Sequence, residues 1–437
     1  MNIIYLNTHD SGRFLQPYGY GLPTPNLQKF AEKGTVFRQM YCAAPTCCPS
    51  RAAMLTGMNA HSSGVTGLVH RGFALKDPKQ HLANYLKSFD FETVLCGVQH
   101  ETAGDPREIG YERIYVDHPY DKFDFVNIDK KSTADAVAFL KEEHKKPFML
   151  TVGFIDTHRD YPEVEHPTNP DYVLPPAILP DCEETRRDFA HYIDSVKVVD
   201  DCCGKIFDTL TESKLWDDTL VIFTTDHGIA FPKMKCSLYD TGMGVAFMIR
   251  LPGENKQKKV IDAMISQLDV YPTICDYLGL PKPQWLEGIS MKPLLEGTEE
   301  KIRDQVFAEV TYHAAYEPKR CIRTERYKFI ERFDAYPYPT FCNTDDGESK
   351  SYLMEHEWKE LAPEKYQLYD LVQDPTERRN LAEDLAHQEI LKELKDRLYQ
   401  WMKDTEDPLL AGKVEKPAGA RVNKKTTLHP TDKDYEV

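Results

Sequence analysis

Short, almost wholly apolar runs alternate along this chain with longer segments in which apolar residues return every three or four positions. Residues 2–8 form the first run and end on His9-Asp10. Residues 148–154 form a second, leading into Asp156-Thr157-His158, and residues 219–225 a third, ending on Asp226-His227-Gly228. Unbroken apolar runs of this length predict strands buried on both faces. Between them, residues 82–89 predict a helix, followed by a short strand at 93–96. From 184 to 210, Phe189, Tyr192, Ile193, Val196, Val199, Cys203, Ile206 and Leu210 keep helical spacing, which predicts a long core-facing helix. The alternation predicts an α/β fold. Three polar clusters fall just past the carboxyl ends of its strands, where open α/β sheets bind ligands.

Past Gly297 the texture changes. Residues 306–312 and 327–331 predict antiparallel strands, and 389–402 an amphipathic helix. The chain therefore divides into an α/β domain over 1–300, a smaller C-terminal α+β domain with an antiparallel sheet over 301–412, and an extended polar tail over 413–437.

Composition narrows the possible partners. The 437 residues carry a net charge of -16, which argues against nucleic acid or an anionic membrane. No apolar run approaches the ~18 residues needed to span a bilayer. The opening Met1-Asn2-Ile3-Ile4-Tyr5-Leu6 is strand-like and too short for a secretory signal, so a cytoplasmic protein is expected. The eleven cysteines then read as mostly reduced thiols, with Cys202-Cys203 as packing residues of the long helix.

The chemistry concentrates at Cys47-Cys48-Pro49-Ser50-Arg51, followed by Ala52-Ala53-Met54-Leu55-Thr56-Gly57. Pro49 suits the first turn of a helix, and the residues after it are good helix formers. Cys47 thus lies at a helix mouth, where free N–H groups and the dipole favour an anion. Read alone, the string also fits a structural cysteine pair at a helix start. The Cys-x-Pro-Ser-Arg…Leu-Thr-Gly string resembles the signature of the type I sulfatases, the formylglycine-dependent members of the alkaline phosphatase superfamily. The resemblance implies that superfamily's fold, an α/β arrangement with a large mixed sheet flanked by helices, and oxidation of Cys47 to the aldehyde formylglycine. In the hydrated aldehyde one hydroxyl attacks sulfur and displaces the alcohol or amine, and the second loses its proton so that collapse to the carbonyl ejects sulfate. A plain thiol has no second hydroxyl.

The same resemblance implies a site for a divalent metal, calcium first, around formylglycine. The family ends its first strand on Asp-Asp and a later one on Asp-Asn or Asp-His-Gly; here Asp10, Asp226 and His227 match, and Cys47 joins them. His9 replaces the first aspartate, exchanging a hard carboxylate for a nitrogen donor and opening the site to softer ions or fewer ligands. Arg51 resembles the arginine that holds the formylglycine diol, a task suited to a guanidinium fork. His158 resembles the histidine that meets the sulfate near the leaving group, as a proton donor. Lys235 aligns with the sulfate-binding lysine, with Lys233 a nearby alternative. Gly97-Val98-Gln99-His100 resembles a Gly-Lys-x-His segment: His100 matches, but Val98 stands where a lysine contacts formylglycine and sulfate. Arg13, His70, Arg71 and Arg159 are by position the candidates to replace that charge.

The likeness reaches the far end of the chain, through Val270-Tyr271-Pro272-Thr273 and Leu368-Tyr369-Asp370-Leu371 with Asp374-Pro375 and Asn380-Leu381. Asp226-His227-Gly228-Ile229-Ala230-Phe231-Pro232, Glu309-Val310-Thr311-Tyr312 and Thr405-Glu406-Asp407-Pro408 are most similar to the heparan N-sulfatase (sulfamidase) branch. That branch implies hydrolysis of a sulfamate on glucosamine, with Glu309 and His313 as glycan contacts, although Glu309 equally fits a strand residue paired at a domain interface. The implied partners are a small sulfated saccharide, since the acidic chain would repel a long polyanion, and a formylglycine-generating or anaerobic maturation enzyme. An O-sulfatase on another sugar and a phosphonate or phosphate ester hydrolase are the alternative enzymes. A non-catalytic glycan binder is the alternative if Cys47 stays unmodified.

Overall fold

A computed structural model of the chain describes residues 1–115, 127–253 and 259–436. The larger of two sheets contains β1 (Asn2–Thr8), β2 (Thr35–Tyr41), β3 (Glu92–Gly97), β4 (Arg113–Ile114), β5 (Phe148–Gly153), β6 (Thr219–Thr225), β7 (Gly244–Val245), β8 (Phe247–Arg250) and β9 (Lys259–Ser266). Their order is β4-β3-β5-β1-β6-β8-β2-β7, with β9 paired to β2. β1 is central and runs parallel to both neighbours, placing Ile4 beside Leu150 and Val221. β8 runs antiparallel to β6, so the sheet is mixed, as the family resemblance implies.

Burial on both faces explains the unbroken apolar runs. Ile3 and Tyr5 of β1 pack with Leu220, Ile222, Met54, Leu55 and Tyr271 on one face. Ile4 and Leu6 pack with Val221, Phe223, Phe189, Val196 and Ile206 on the other. Each fully buried aliphatic side chain contributes about 1.5–3 kcal/mol, so this sheet is the rigid frame of the site. The long helix is Glu183–Glu212, and all eight apolar positions of its predicted stripe are buried. Cys202 and Cys203 are buried within it, and all eleven cysteines are free thiols.

β3 ends on Gly97, whose φ of +84° and contact with β5 leave no room for a side chain: a Cβ there would lie 2.1 Å from the Gly153 carbonyl oxygen. The Val98 N–H donates to that same carbonyl at 2.8 Å. This crossing aims the following loop, and with it His100, at the tip of β1.

The second sheet is antiparallel, in the order β10 (Gln305–Tyr312), β11 (Tyr316–Thr324), β12 (Tyr327–Arg332) and β13 (Tyr366–Asp370). The helix Gln388–Asp404 lays Leu394, Leu398 and Met402 on Ile322, Phe329 and Leu368. β11 separates the two strands expected from the pattern. Its Pro318 sits where the register with β10 shifts, so the missing N–H breaks no regular ladder. Residues 413–436 run back over the structure: Val422 is buried, and Asn423 bridges to Ala315 and Tyr435. Among the described residues no helix is long and apolar enough to cross a membrane.

Candidate active site

The tips of β1 and β6 lie side by side because their strands pair in register as far as Thr8 and Thr225. The next residues, His9-Asp10 and Asp226-His227, therefore converge. Asp226 is the hub. Its Oδ1 accepts from the backbone N–H of Asp10 (2.8 Å) and of His227 (2.9 Å), and its Oδ2 accepts from Arg51 Nε at 3.1 Å. His9 Nδ1 lies 3.2 Å from the same Oδ2, and His227 Nε2 lies 3.3 Å from Asp10 Oδ1. Asp10 has a φ of +46°, a strained conformation that aspartate tolerates better than most residues.

The helix Cys47–Thr56 meets these tips end-on. Ser50 Oγ lies 2.5 Å from the Asp226 carbonyl and 2.7 Å from Gln267 Oε1, sharing its one hydrogen between them, and Arg51 Nη2 donates to the Thr8 carbonyl at 2.9 Å. Cys47 is buried, with Sγ 3.4 Å from His227 Nε2. Burial pushes its thiol well above the usual range, and Asp10 and Asp226 add to that although Lys235 opposes it. The unmodified side chain is thus a neutral thiol and a poor nucleophile.

The set of donors fits a divalent cation. One ligand atom each from His9, Asp10, Cys47 and Asp226 lies within 4.8 Å of all the others, and every one of these residues is buried. Asp10 Oδ1 receives no hydrogen bond, an uncompensated buried carboxylate oxygen of the kind a cation satisfies. His100 lies against His9 at 4.3 Å between ring centroids, the rings tilted by 59°, and forms a second such group with His9 and Cys47.

Lys235 and His158 face this cluster from the far side. Lys235 Nζ donates to Asp10 Oδ2 at 2.8 Å and lies 3.4 Å from His158 Nε2. His158 Nδ1 meets the Arg159 carbonyl, which only accepts, so Nδ1 holds a hydrogen and Nε2 presents a lone pair to the lysine. Burial and Lys235 lower the His158 imidazole, while Asp10 and Asp345 pull it back up.

Asp345, which no motif marks, completes this wall. Its Oδ2 lies 3.0 Å from Lys235 Nζ. Burial opposes its ionisation, but Lys235 and His158 hold the carboxyl down at about 2. In sequence, Thr344-Asp345-Asp346-Gly347 reads only as a turn. His313, at the end of β10, is buried nearby, where burial and Lys235 hold its imidazole well below the ordinary value.

Other expected contacts lie elsewhere. Val98 is turned into an apolar cluster with Ile128 and Ile155, and Lys235 is the cation that bears most strongly on Cys47. Arg13 does not supply the missing charge: its guanidinium lies over the Tyr41 ring at 4.7 Å and donates to the Met40 carbonyl. Arg159 is likewise committed, forked onto Asp188 at 2.7 and 2.9 Å and donating to the Ala230 carbonyl. Arg71 holds the C-terminal segment through Asn423 and the Pro430 carbonyl. His70 is exposed, and its carbonyl accepts from Arg421 at 3.0 Å. Lys233 lines a separate cleft of about 970 Å³ with Lys319, Arg332 and Arg378. Glu309 is no glycan contact: it is buried, taking His61 Nδ1 at 2.8 Å and lying 3.3 Å from Arg320, while its N–H donates to the Ala43 carbonyl. It ties β10 to the segment that follows β2 and to the helix Ala60–Ser63.

Comparison with known proteins follows the same lines. Residues 2–280 match the Sulfatase family model, and residues 230–362 match the model of the N-sulphoglucosamine sulphohydrolase C-terminal region. The chain is 28% identical to human N-sulphoglucosamine sulphohydrolase, covering 89% of this chain and 86% of that one. It is 25% identical to the Delta 4,5-hexuronate-2-O-sulfatase of Bacteroides thetaiotaomicron, covering 96% and 91%. Its fold superimposes on the crystal structure of a phosphonate monoester hydrolase of Agrobacterium radiobacter with a TM-score of 0.73, at 20% identity over 94% of this chain and 97% of the other.

Proposed function

The chain belongs to the sulfatase family, and on that premise we propose that its substrate is a small N-sulfated amino sugar, N-sulfoglucosamine, hydrolysed by a formylglycine made from Cys47. The observation that carries this reading is the placement of Cys47 Sγ at a helix mouth, 3.4 Å from His227 and within reach of His9, Asp10 and Asp226. The N-sulfated sugar is supported by the C-terminal family match over residues 230–362 and by the human relative.

The reaction is R–NH–SO₃⁻ + H₂O → R–NH₃⁺ + SO₄²⁻: the sulfur–nitrogen bond breaks, a sulfur–oxygen bond forms, and the nitrogen takes up the protons. The aldehyde hydrate supplies the attacking hydroxyl and a second hydroxyl for release. A divalent cation, calcium by its two carboxylates, would be held by His9, Asp10 and Asp226 with the oxygen at position 47, where it would offset the charge of the sulfate and polarise that oxygen. Arg51 holds the helix mouth in register with both strand tips. Lys235 binds the sulfate oxygens. His158 presents Nε2 toward the departing nitrogen, the atom at which it would pass a proton to the leaving group. His100 lines the wall beside His9.

The test has two arms. Peptide mass across Cys47, from protein made with a formylglycine-generating enzyme, falls by about 18 Da when the thiol becomes an aldehyde. Sulfate release from N-sulfoglucosamine and from glucosamine 6-O-sulfate is then compared with phenol release from an aryl phosphonate monoester. Release from the sulfamate supports the reading; release from the ester alone makes the chain an O-sulfatase, and turnover of the phosphonate alone excludes both sulfate readings.

A further inference from the structure

Asp345 is held in place before any ligand binds. Lys350 Nζ donates to the Thr344 carbonyl and to Asp346 Oδ1, both at 2.8 Å, bracketing the residue. The Ser349 N–H donates to Asp188 Oδ2 at 3.0 Å, and Asp188 is itself clamped by Arg159. The carboxylate faces Lys235 as an ion pair that lacks hydrogen-bond geometry, so Oδ2 receives no hydrogen bond.

A fixed, ionised carboxylate beside a sulfate site needs a hydrogen-bond donor. Sulfate has none; it brings like charge and acceptors alone. Pairing with Lys235 offsets the charge, but the 3.0 Å contact lacks hydrogen-bond geometry, and leaving a buried acceptor oxygen unmade is costly. The scissile bond provides a donor in one substrate class only. The bridging nitrogen of a sulfamate carries a hydrogen, whereas the bridging oxygen of a sulfate ester carries lone pairs that a carboxylate repels. Groups built to hydrogen-bond a donor reject analogues lacking it far more strongly than apolar pockets reject a change of size.

Resting on the N-sulfatase reading above, we propose that Asp345 determines specificity for nitrogen-linked over oxygen-linked sulfate, by accepting the N–H of the sulfamate and then facing the ammonium that leaves. His313 and His158 complete the wall around that nitrogen.

The experiment compares the matured parent with D345N and D345S on N-sulfoglucosamine and glucosamine 6-O-sulfate. The ratio of the two kcat/KM values is the readout, because displacement of Lys235 acts on the sulfate that both substrates share and leaves the ratio unmoved. The ratio is expected to fall roughly tenfold or more in either variant, the scale of one charge-assisted hydrogen bond. A ratio within about twofold of the parent, with both rates falling together, overturns the proposal and leaves Asp345 a positioning residue for Lys235. Titration calorimetry gives the same answer without turnover: the parent binds glucosamine in preference to glucose and the variants lose that preference, and a preference kept by the variants overturns it. D345S serves if D345N does not fold. A parent that opens the ester and spares the sulfamate fails the functional reading itself, before any variant is measured.

Discussion

Arg51 Nε donates to Asp226 Oδ2 at 3.1 Å across 175 residues of chain, joining the helix that begins at Cys47 to the tip of β6. Both side chains are buried. Because the same guanidinium also reaches the Thr8 carbonyl of β1, one residue locks the helix against both central strands. Cys47 is thereby placed beside the two carboxylates by hydrogen bonds rather than by a loop.

Removing that guanidinium leaves Asp226 buried without its cation. We expect R51A to lose about 3–5 kcal/mol, the usual cost of breaking a buried pair from one side. R51K keeps the charge but not the fork, and should fall between R51A and the parent. Urea unfolding measures both, and an R51A midpoint equal to the parent's would mean the pair does not hold the helix.

On the proposed reading Cys47 contributes chemistry more than packing. C47A should release no sulfate above background while its unfolding free energy stays within about 1 kcal/mol of the parent. Sulfate release retained by C47A would remove Cys47 from the reaction.

A cation held at the strand tips, as proposed above, would stabilise the fold by mass action. At a hundredfold excess over its dissociation constant, calcium should raise the unfolding free energy by about 2.7 kcal/mol, and D10N should abolish the gain. Asparagine tolerates the left-handed backbone at this position, so the substitution tests the donor and not the chain geometry. A calcium-dependent rise in melting temperature that survives in D10N would place the ion elsewhere.

The buried Glu309–His61 pair makes stability depend on pH in two opposite senses. Burial works against the Glu309 carboxylate, but His61 and Arg320 hold its pKa at about 2, below its ordinary 4.5. Its contribution is therefore complete above about pH 4.5 and is lost as pH falls through about 2. His61 is desolvated, yet Glu309 raises it above its ordinary 6.5, so its contribution is complete below that value and fades as pH climbs through the raised one. E309Q should flatten both limbs of the stability curve, measured by urea unfolding at a series of pH values. An acid limb identical in parent and variant would show that the pair carries none of the acid sensitivity.

Buried strands and amphipathic helices were legible because each pattern has a single physical cause. Residues 2–8 and 219–225 are apolar throughout because both faces of a central parallel strand are covered. The stripe of the long helix faces one core and solvent meets the rest. β11 was not legible. Tyr316–Thr324 carries Glu317, Pro318, Lys319, Arg320 and Arg323, a composition that reads as exposed loop. Arg320 is nevertheless fully buried, satisfied by Asp407 at 2.5 Å, and Arg323 is buried against Asp240 at 3.1 Å. Neither acid is near in sequence, so no local window reveals the strand.

The order of residues by itself determined the alternating architecture, the strand-end carboxylate pairs and the helix-borne Cys47, since these depend on periodicity and on groups adjacent in the chain. Only the tertiary structure decided which charges face one another. It committed Arg159 to Asp188 and Glu309 to His61, and brought Asp345 to Lys235. The reason is that the energy of a buried charge is set by the partner it meets in space, and that partner stood anywhere from 29 to 248 residues away.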